Sequence, residues 1–102
     1  MGPMPERRGS PRIELSLACT LRRRSGSAIA AQTLDLGPGG MSVTTTRPLA
    51  TDELLHFDLP LPPGETVDGQ ARVLREQGYQ VYALRFEALH EPARALLAGV
   101  AA

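Results

Sequence analysis

From Ile13 to Arg22 the chain alternates: Ile13, Leu15, Leu17, Cys19 and Leu21 stand between Glu14, Ser16, Ala18, Thr20 and Arg22. A period of two places one set of side chains on a single face of an extended chain. A helix would instead repeat its apolar positions every three or four residues. The fold therefore starts with a strand buried on one side, and the rest of the chain must supply the opposite wall of a β core.

The following segments read as further strands separated by turns. Arg24 to Ser27, with Ser25 and Gly26, is a turn, and Ala28 to Asp35 is a second strand. In Leu36-Gly37-Pro38-Gly39-Gly40, three glycines and a proline interrupt any ladder, so the backbone bends there, with positive φ expected at one or more of the glycines. Met41 to Thr46, with β-branched Val43, Thr44, Thr45 and Thr46, resumes as a strand whose Thr44 to Thr46 run is expected on the surface. Leu54 to Leu59 makes a fourth strand, expected to stop at Pro60-Leu61-Pro62-Pro63-Gly64 for want of amide donors. Val67 to Arg75 and Tyr79 to Phe86 form a hairpin joined through Gln77-Gly78. Beyond Leu89 the period changes: Pro92 suits a first helical turn, and Ala93, Leu96, Leu97 and Val100 fall on one stripe. The predicted architecture is all-β, a six-stranded antiparallel β-barrel with a short C-terminal α-helix, closure being the way such a sheet removes its edges.

At 102 residues one core is what the chain can build. Met1 to Pro11 holds three prolines, two glycines and hardly any large apolar side chain, so residues 1–12 are expected to be a flexible arm and residues 13–102 the domain. No apolar stretch approaches the roughly 20 residues of a membrane-spanning helix, and the amino terminus lacks the apolar core of a secretion signal, which gives an expectation of a cytoplasmic protein without membrane insertion. Cys19 is the only cysteine and, placed in the alternating run, reads as a buried inert thiol.

Net charge is zero but unevenly spread. Residues 1 to 24 carry Arg7, Arg8, Arg12, Arg22, Arg23 and Arg24 against Glu6 and Glu14, a net +4, and the remainder carries −4. Arg22 to Arg24 read as a solvated strand end. A basic leading end points to an anionic partner, yet four aromatic residues (Phe57, Tyr79, Tyr82, Phe86) and zero net charge argue against a nucleic acid polymer. Enzymatic chemistry is not expected, since no serine or cysteine pairs with a histidine and no carboxylate pair recurs at catalytic spacing. His56 and His90 stand alone in the sequence without ligand spacing, so no metal site is expected.

Two segments remain, Arg7-Arg8-Gly9-Ser10-Pro11-Arg12 on the arm and Asp35-Leu36-Gly37-Pro38-Gly39-Gly40 at the bend. Together they resemble the paired signatures of the PilZ domain family, an RxxxR motif just before the first strand and a [D/N]xSxxG motif after the second. Arg8 and Arg12 match the first, with Arg7 as an additional arginine, and Asp35 and Gly40 match the second. The likeness extends over nearly the whole chain, through Tyr82-Ala83-Leu84-Arg85-Phe86 to the terminal helix. What it implies is a non-enzymatic receptor for cyclic di-GMP that needs no cofactor, binds its ligand through Arg7, Arg8, Arg12, Asp35, Gly37 and Gly40, orders its arm on binding and signals to an as yet unidentified protein partner. The chemistry fits: guanidinium forks suit phosphate oxygens and the guanine O6/N7 edge, a carboxylate suits the guanine N1 and N2 donors, and glycines let the main chain approach. Arg72 and Arg75 are further candidates for a wall of the site, the sequence leaving open which face each occupies. One position departs from the pattern, because Gly37 stands where the family has serine. A lost neutral hydrogen bond costs about 0.5–1.5 kcal/mol. The alternative reading that follows is a PilZ-like domain that does not bind the nucleotide and works only through protein contacts.

Overall fold

The computed structural model describes residues 12–62 and 64–89. The opening strand forms where the alternation places it but is divided into β1 (Ile13–Glu14) and β2 (Ala18–Arg22). Both lie antiparallel on β3 (Ala28–Leu36), with Ile13 opposite Leu36 and Arg22 opposite Ala28. Across the gap the hydroxyl of the fully buried Thr33 stitches the two halves together, accepting from Leu17 N at 2.8 Å and donating to the Leu15 carbonyl. Next to it Leu34 is squeezed out as a bulge and left 43% exposed.

Four more strands complete the sheet: β4 (Gly40–Thr45), β5 (Leu54–Leu61), β6 (Glu65–Gly78) and β7 (Val81–Leu89). Every pairing is antiparallel, and the order β3-β2-β5-β6-β7-β4 closes through a β3–β4 ladder. With β1 and β2 counted as one interrupted strand, this is the expected closed six-stranded barrel. Inward positions fill it, among them Leu21, Ile29, Met41, Phe57, Val73 and Leu84, all at most 1% exposed. Burying each such side chain contributes about 1.5–3 kcal/mol. Phe57 and Phe86 stack with ring centroids 5.0 Å apart, and the Tyr82 hydroxyl accepts from Leu49 N at 3.0 Å, tying the β4–β5 loop to the barrel.

Several local expectations need correction. β5 does not stop before Pro60; it continues to Leu61, with Pro60 opposite Thr66. The ladder with β2 ends at Asp58, and a proline is tolerated where its missing donor faces a strand's free side. The β6–β7 turn falls at Tyr79-Gln80 rather than Gln77-Gly78, with Gln80 in the left-handed region (φ 54°) and Tyr79 88% exposed. The bend at 37–40 needs no positive φ, since among the described residues only Gly26, Asp52 and Gln80 adopt it. Its turn is closed by Gly37 N donating to Gly40 O at 3.1 Å. Thr45 is buried, its hydroxyl donating to the Arg47 carbonyl at 2.6 Å. Arg23 is not a solvated strand end, because it grips Glu53 and the Pro48 carbonyl. The leading segment 1–11 and the C-terminal segment 90–102, on which the predicted helix falls, lie outside the described residues. Among the described residues no helix is long and apolar enough to cross a membrane.

Candidate functional site

Antiparallel register lines up four residues across neighbouring strands: Asp35 on β3, Ser42 on β4, Ala83 on β7 and Arg75 on β6. Met41, Val43 and Leu84 point into the core, so this row faces outward. The two middle side chains are short and the two outer ones long, which leaves a trough. A cleft of about 370 Å³ runs along it, lined by Arg12, Asp35, Ser42, Leu74, Arg75, Gln77 and Ala83.

Arg12 reaches the trough because pairing Ile13 with Leu36 carries the preceding residue to the start of the bend. Its Nη1 donates to Asp35 Oδ1 at 2.8 Å, and the same oxygen accepts from Ser42 N at 3.2 Å. Arg12 Nε, by contrast, is buried and has no hydrogen-bond partner among the described residues. A buried donor left unsatisfied costs about 1–3 kcal/mol, so the guanidinium sits at the trough with an unmet demand for an acceptor.

Gly40 lies under this guanidinium. A Cβ built there would stand 2.3 Å from the Leu84 carbonyl and 3.1 Å from Arg12 Nη2. The sequence assigns Gly40 to ligand approach, but the space freed by its missing side chain is already taken by β7 and by Arg12. Gly39 holds the bend to β7 by accepting from Phe86 N at 3.0 Å. Gly37 is adjacent, with its N–H engaged by Gly40 O.

Of the six residues inferred from the sequence, Arg12 and Asp35 meet in the trough, Gly40 packs against Arg12 and Gly37 is bonded to Gly40, while Arg7 and Arg8 lie outside the described residues. Arg75 faces the cleft and Arg72 does not: Arg72 is bound to Glu87 at 2.9 and 3.1 Å and to the Asp52 carbonyl at 2.9 Å. Hydrogen bonds from Arg72 and then Arg85 hold the Glu87 carboxyl down at about 2. Ser42, Leu74 and Gln77 escaped the sequence reading, since only strand register brings them to Asp35.

Among the described residues, the lining of this cleft includes no histidine or cysteine. Burial, aided by the charge of Asp58, pushes the Cys19 thiol up to about 12, so no thiolate nucleophile is available there. The aromatic rings offer no stacking row: Phe57 and Tyr82 are core, Phe86 packs on Phe57, and Tyr79 is alone at a turn. His56 departs from expectation, because the fold sets it beside Asp58 and Asp68.

Comparison with known proteins agrees with this fold. The family model described as PilZ domain matches residues 6–101. Among solved structures, the chain is similar to the Bacillus subtilis inhibitor of motility MotI/DgrA, with a TM-score of 0.80 at 17% identity over 95% of this chain and 50% of that one. It is also similar to the PilZ domain of CeSA from a cellulose-synthesizing bacterium, with a TM-score of 0.69 at 21% identity over 87% of this chain and 96% of that one. The chain thus spans half the length of the motility inhibitor. At these identities the likeness is one of fold. No curated protein matches the chain in sequence.

Proposed function

This chain belongs to the PilZ domain family, and from that premise we propose that it is a non-enzymatic receptor for cyclic di-GMP. The observation that carries the reading is the 2.8 Å contact between Arg12 and Asp35, one residue from each half of the paired signature, at the edge of a solvent-open trough. The ligand offers two phosphates and two guanines. Asp35 is acceptor-only and matches the guanine N1 and N2 donors, while Arg12 matches O6/N7 or a phosphate oxygen. The buried Arg12 Nε would gain an acceptor only if the side chain turned toward the ligand.

In this reading Arg7 and Arg8 close over the ligand from the leading segment, and residues 1–12 order against the domain formed by residues 13–102. The output is a new surface presented to a protein partner in the cytoplasm, where such a messenger acts; no bond is made or broken. Gly37 favours one rival, a domain of this family that works by protein contact alone. Isothermal titration with cyclic di-GMP decides between them. Wild type should bind and Arg8→Ala, Arg12→Ala and Asp35→Ala should each bind far more weakly; wild-type heat indistinguishable from dilution, or variants that bind as wild type does, sinks the receptor reading. Ordering of the leading segment is tested separately by limited proteolysis. Cleavage within residues 1–12 should slow at saturating ligand, and equal rates would refute that step.

A further inference from the structure

Alternation along β5 and β6 sends every second side chain outward, and on this face it gathers one imidazole and two carboxylates. His56 and Asp58 are two apart on β5, and Asp68 on β6 stands directly opposite Asp58 in the ladder. Each offers one donor atom, and the three donor atoms lie within 4.8 Å of one another. His56 and Asp58 share a face because they are two apart on one strand, and cross-strand register adds Asp68.

The contacts inside the cluster are too long to be hydrogen bonds and suited to a bridging ion. His56 Nε2 is 3.5 Å from Asp68 Oδ2, while it is the other ring nitrogen, Nδ1, that lies 4.0 Å from Asp58 Oδ2, so an ion would take one of the two nitrogens, with the imidazole turned to bring it between the carboxylates. Bonds of about 2.0–2.2 Å in a tetrahedral shell set neighbouring ligand atoms roughly 3.4 Å apart. Like charges directly opposite in a ladder destabilise it, so the Asp58–Asp68 pair calls for a cation. The nearest side-chain cation, Arg22 on β2, reaches only Asp58, at 3.6 Å. Asp68 has no arginine partner among the described residues. All three side chains are between 37% and 43% exposed, so an ion can enter, and a cleft of about 250 Å³ beside His56 and Asp68 leaves room for water to complete its coordination.

We propose that His56, Asp58 and Asp68 form a three-ligand site for a divalent transition-metal ion such as Zn²⁺ on the outer face of the β5–β6 ladder. It shares no residue with the Arg12–Asp35 cleft and stands or falls independently of the nucleotide reading. Imidazole with carboxylates suits Zn²⁺, whereas carboxylate and water alone suit Mg²⁺. A bound ion would join β5 to β6 and cancel the repulsion between Asp58 and Asp68.

Isothermal titration of the full chain with ZnCl₂ in a non-chelating buffer tests the site. The expected result is one ion per chain at submillimolar concentration, retained in excess Mg²⁺, with His56→Ala and Asp68→Asn each weakening binding roughly tenfold or more. Both substitutions are at exposed positions, and the melting temperatures of the metal-free variants check that each remains folded. Co²⁺ supplies a second readout, since ligand-field absorption near that of a four- or five-coordinate ion should appear with wild type and vanish with His56→Ala. Absence of saturable binding to wild type, displacement by Mg²⁺, or unchanged affinity in both variants overturns the proposal.

Discussion

Arg23 and Arg12 each hold a carboxylate at hydrogen-bond distance, 2.7 Å to Glu53 and 2.8 Å to Asp35, yet the two pairs differ in what is left over. Arg23 donates through Nε and Nη2 to both oxygens of Glu53 and through Nη2 to the Pro48 carbonyl, and Glu53 in turn accepts from Ala50 N at 3.0 Å. The β2–β3 turn is thereby pinned to the β4–β5 loop. Arg12 spends one donor on Asp35 and keeps a buried Nε with no partner. The same chemical pair thus serves as a clasp where its hydrogen bonds are used up, and as a receptive edge where a donor is still unmet.

The contrast breaks most visibly in binding. Arg12→Ala should lower cyclic di-GMP affinity about a hundredfold, the worth of one or two charge-assisted hydrogen bonds at about 1.5–3 kcal/mol each. Arg23→Ala should bind like wild type in the same calorimetric titration. A comparable loss from Arg23→Ala would mean that affinity follows general barrel integrity or net charge instead of the trough.

Stability should reverse the order. Arg23→Ala strands the partly buried Glu53 carboxylate and frees a loop, and should cost about 2 kcal/mol in urea unfolding. Arg12→Ala should cost less, because it breaks one hydrogen bond where Arg23→Ala breaks three, and it also removes an unsatisfied donor. Equal shifts in the unfolding midpoint would erase the distinction between clasp and edge.

How far this was readable in the sequence differs between the two pairs. Asp35 and Arg12 carry a spacing signature, and the alternation from Ile13 to Leu21 fixes the strand that joins them to the barrel. Arg23 and Glu53 carry none: they are 30 residues apart, and only the closing of β2 on β5 makes them neighbours. Ser42, Leu74 and Gln77 were invisible for the same reason, as was the meeting of His56 with Asp68, while for Arg75 the sequence offered a candidate and register decided its face. Local period determines which face a side chain takes, while strand register, set by the whole closed sheet, determines whom it meets. The displaced β6–β7 turn shows a second limit. Gly78 is the residue best suited to a turn, but pairing of Gly78 with Val81 moves the turn to Tyr79-Gln80, and Gln80 accepts the left-handed conformation.

A sharper probe of the receptive edge is Gly37→Ser. Gly37 does not use the left-handed conformation, so serine fits the backbone without strain, and the Gly37 N–H bond to Gly40 O can persist. The restored hydroxyl adds one neutral hydrogen bond toward the trough. Affinity for cyclic di-GMP should tighten by up to about tenfold, with the unfolding midpoint unchanged. Weaker binding by the serine variant would show that the bend engages the ligand differently from the family pattern.

The smallest effect concerns acid, and it isolates the clasp from the rest of the surface. Burial alone would raise the Glu53 carboxyl, but hydrogen bonds from Arg23 and from the Ala50 amide, with the Arg23 charge, more than offset this and hold it below its ordinary 4.5. A carboxyl depressed in the folded state contributes stability that is fully present above its unfolded value. That contribution is lost as pH falls through the folded value. Wild type should therefore lose melting temperature below about pH 4.5 more steeply than Glu53→Gln, whose side chain cannot titrate. Glu87, held at about 2 by Arg72 and Arg85, titrates over an overlapping range, but it is present in both proteins and its effect drops out of the difference. Parallel acid profiles for wild type and Glu53→Gln would mean that the Arg23 contact exerts no net pull on the Glu53 proton, and the clasp would then be held by packing and the Pro48 carbonyl instead of by charge.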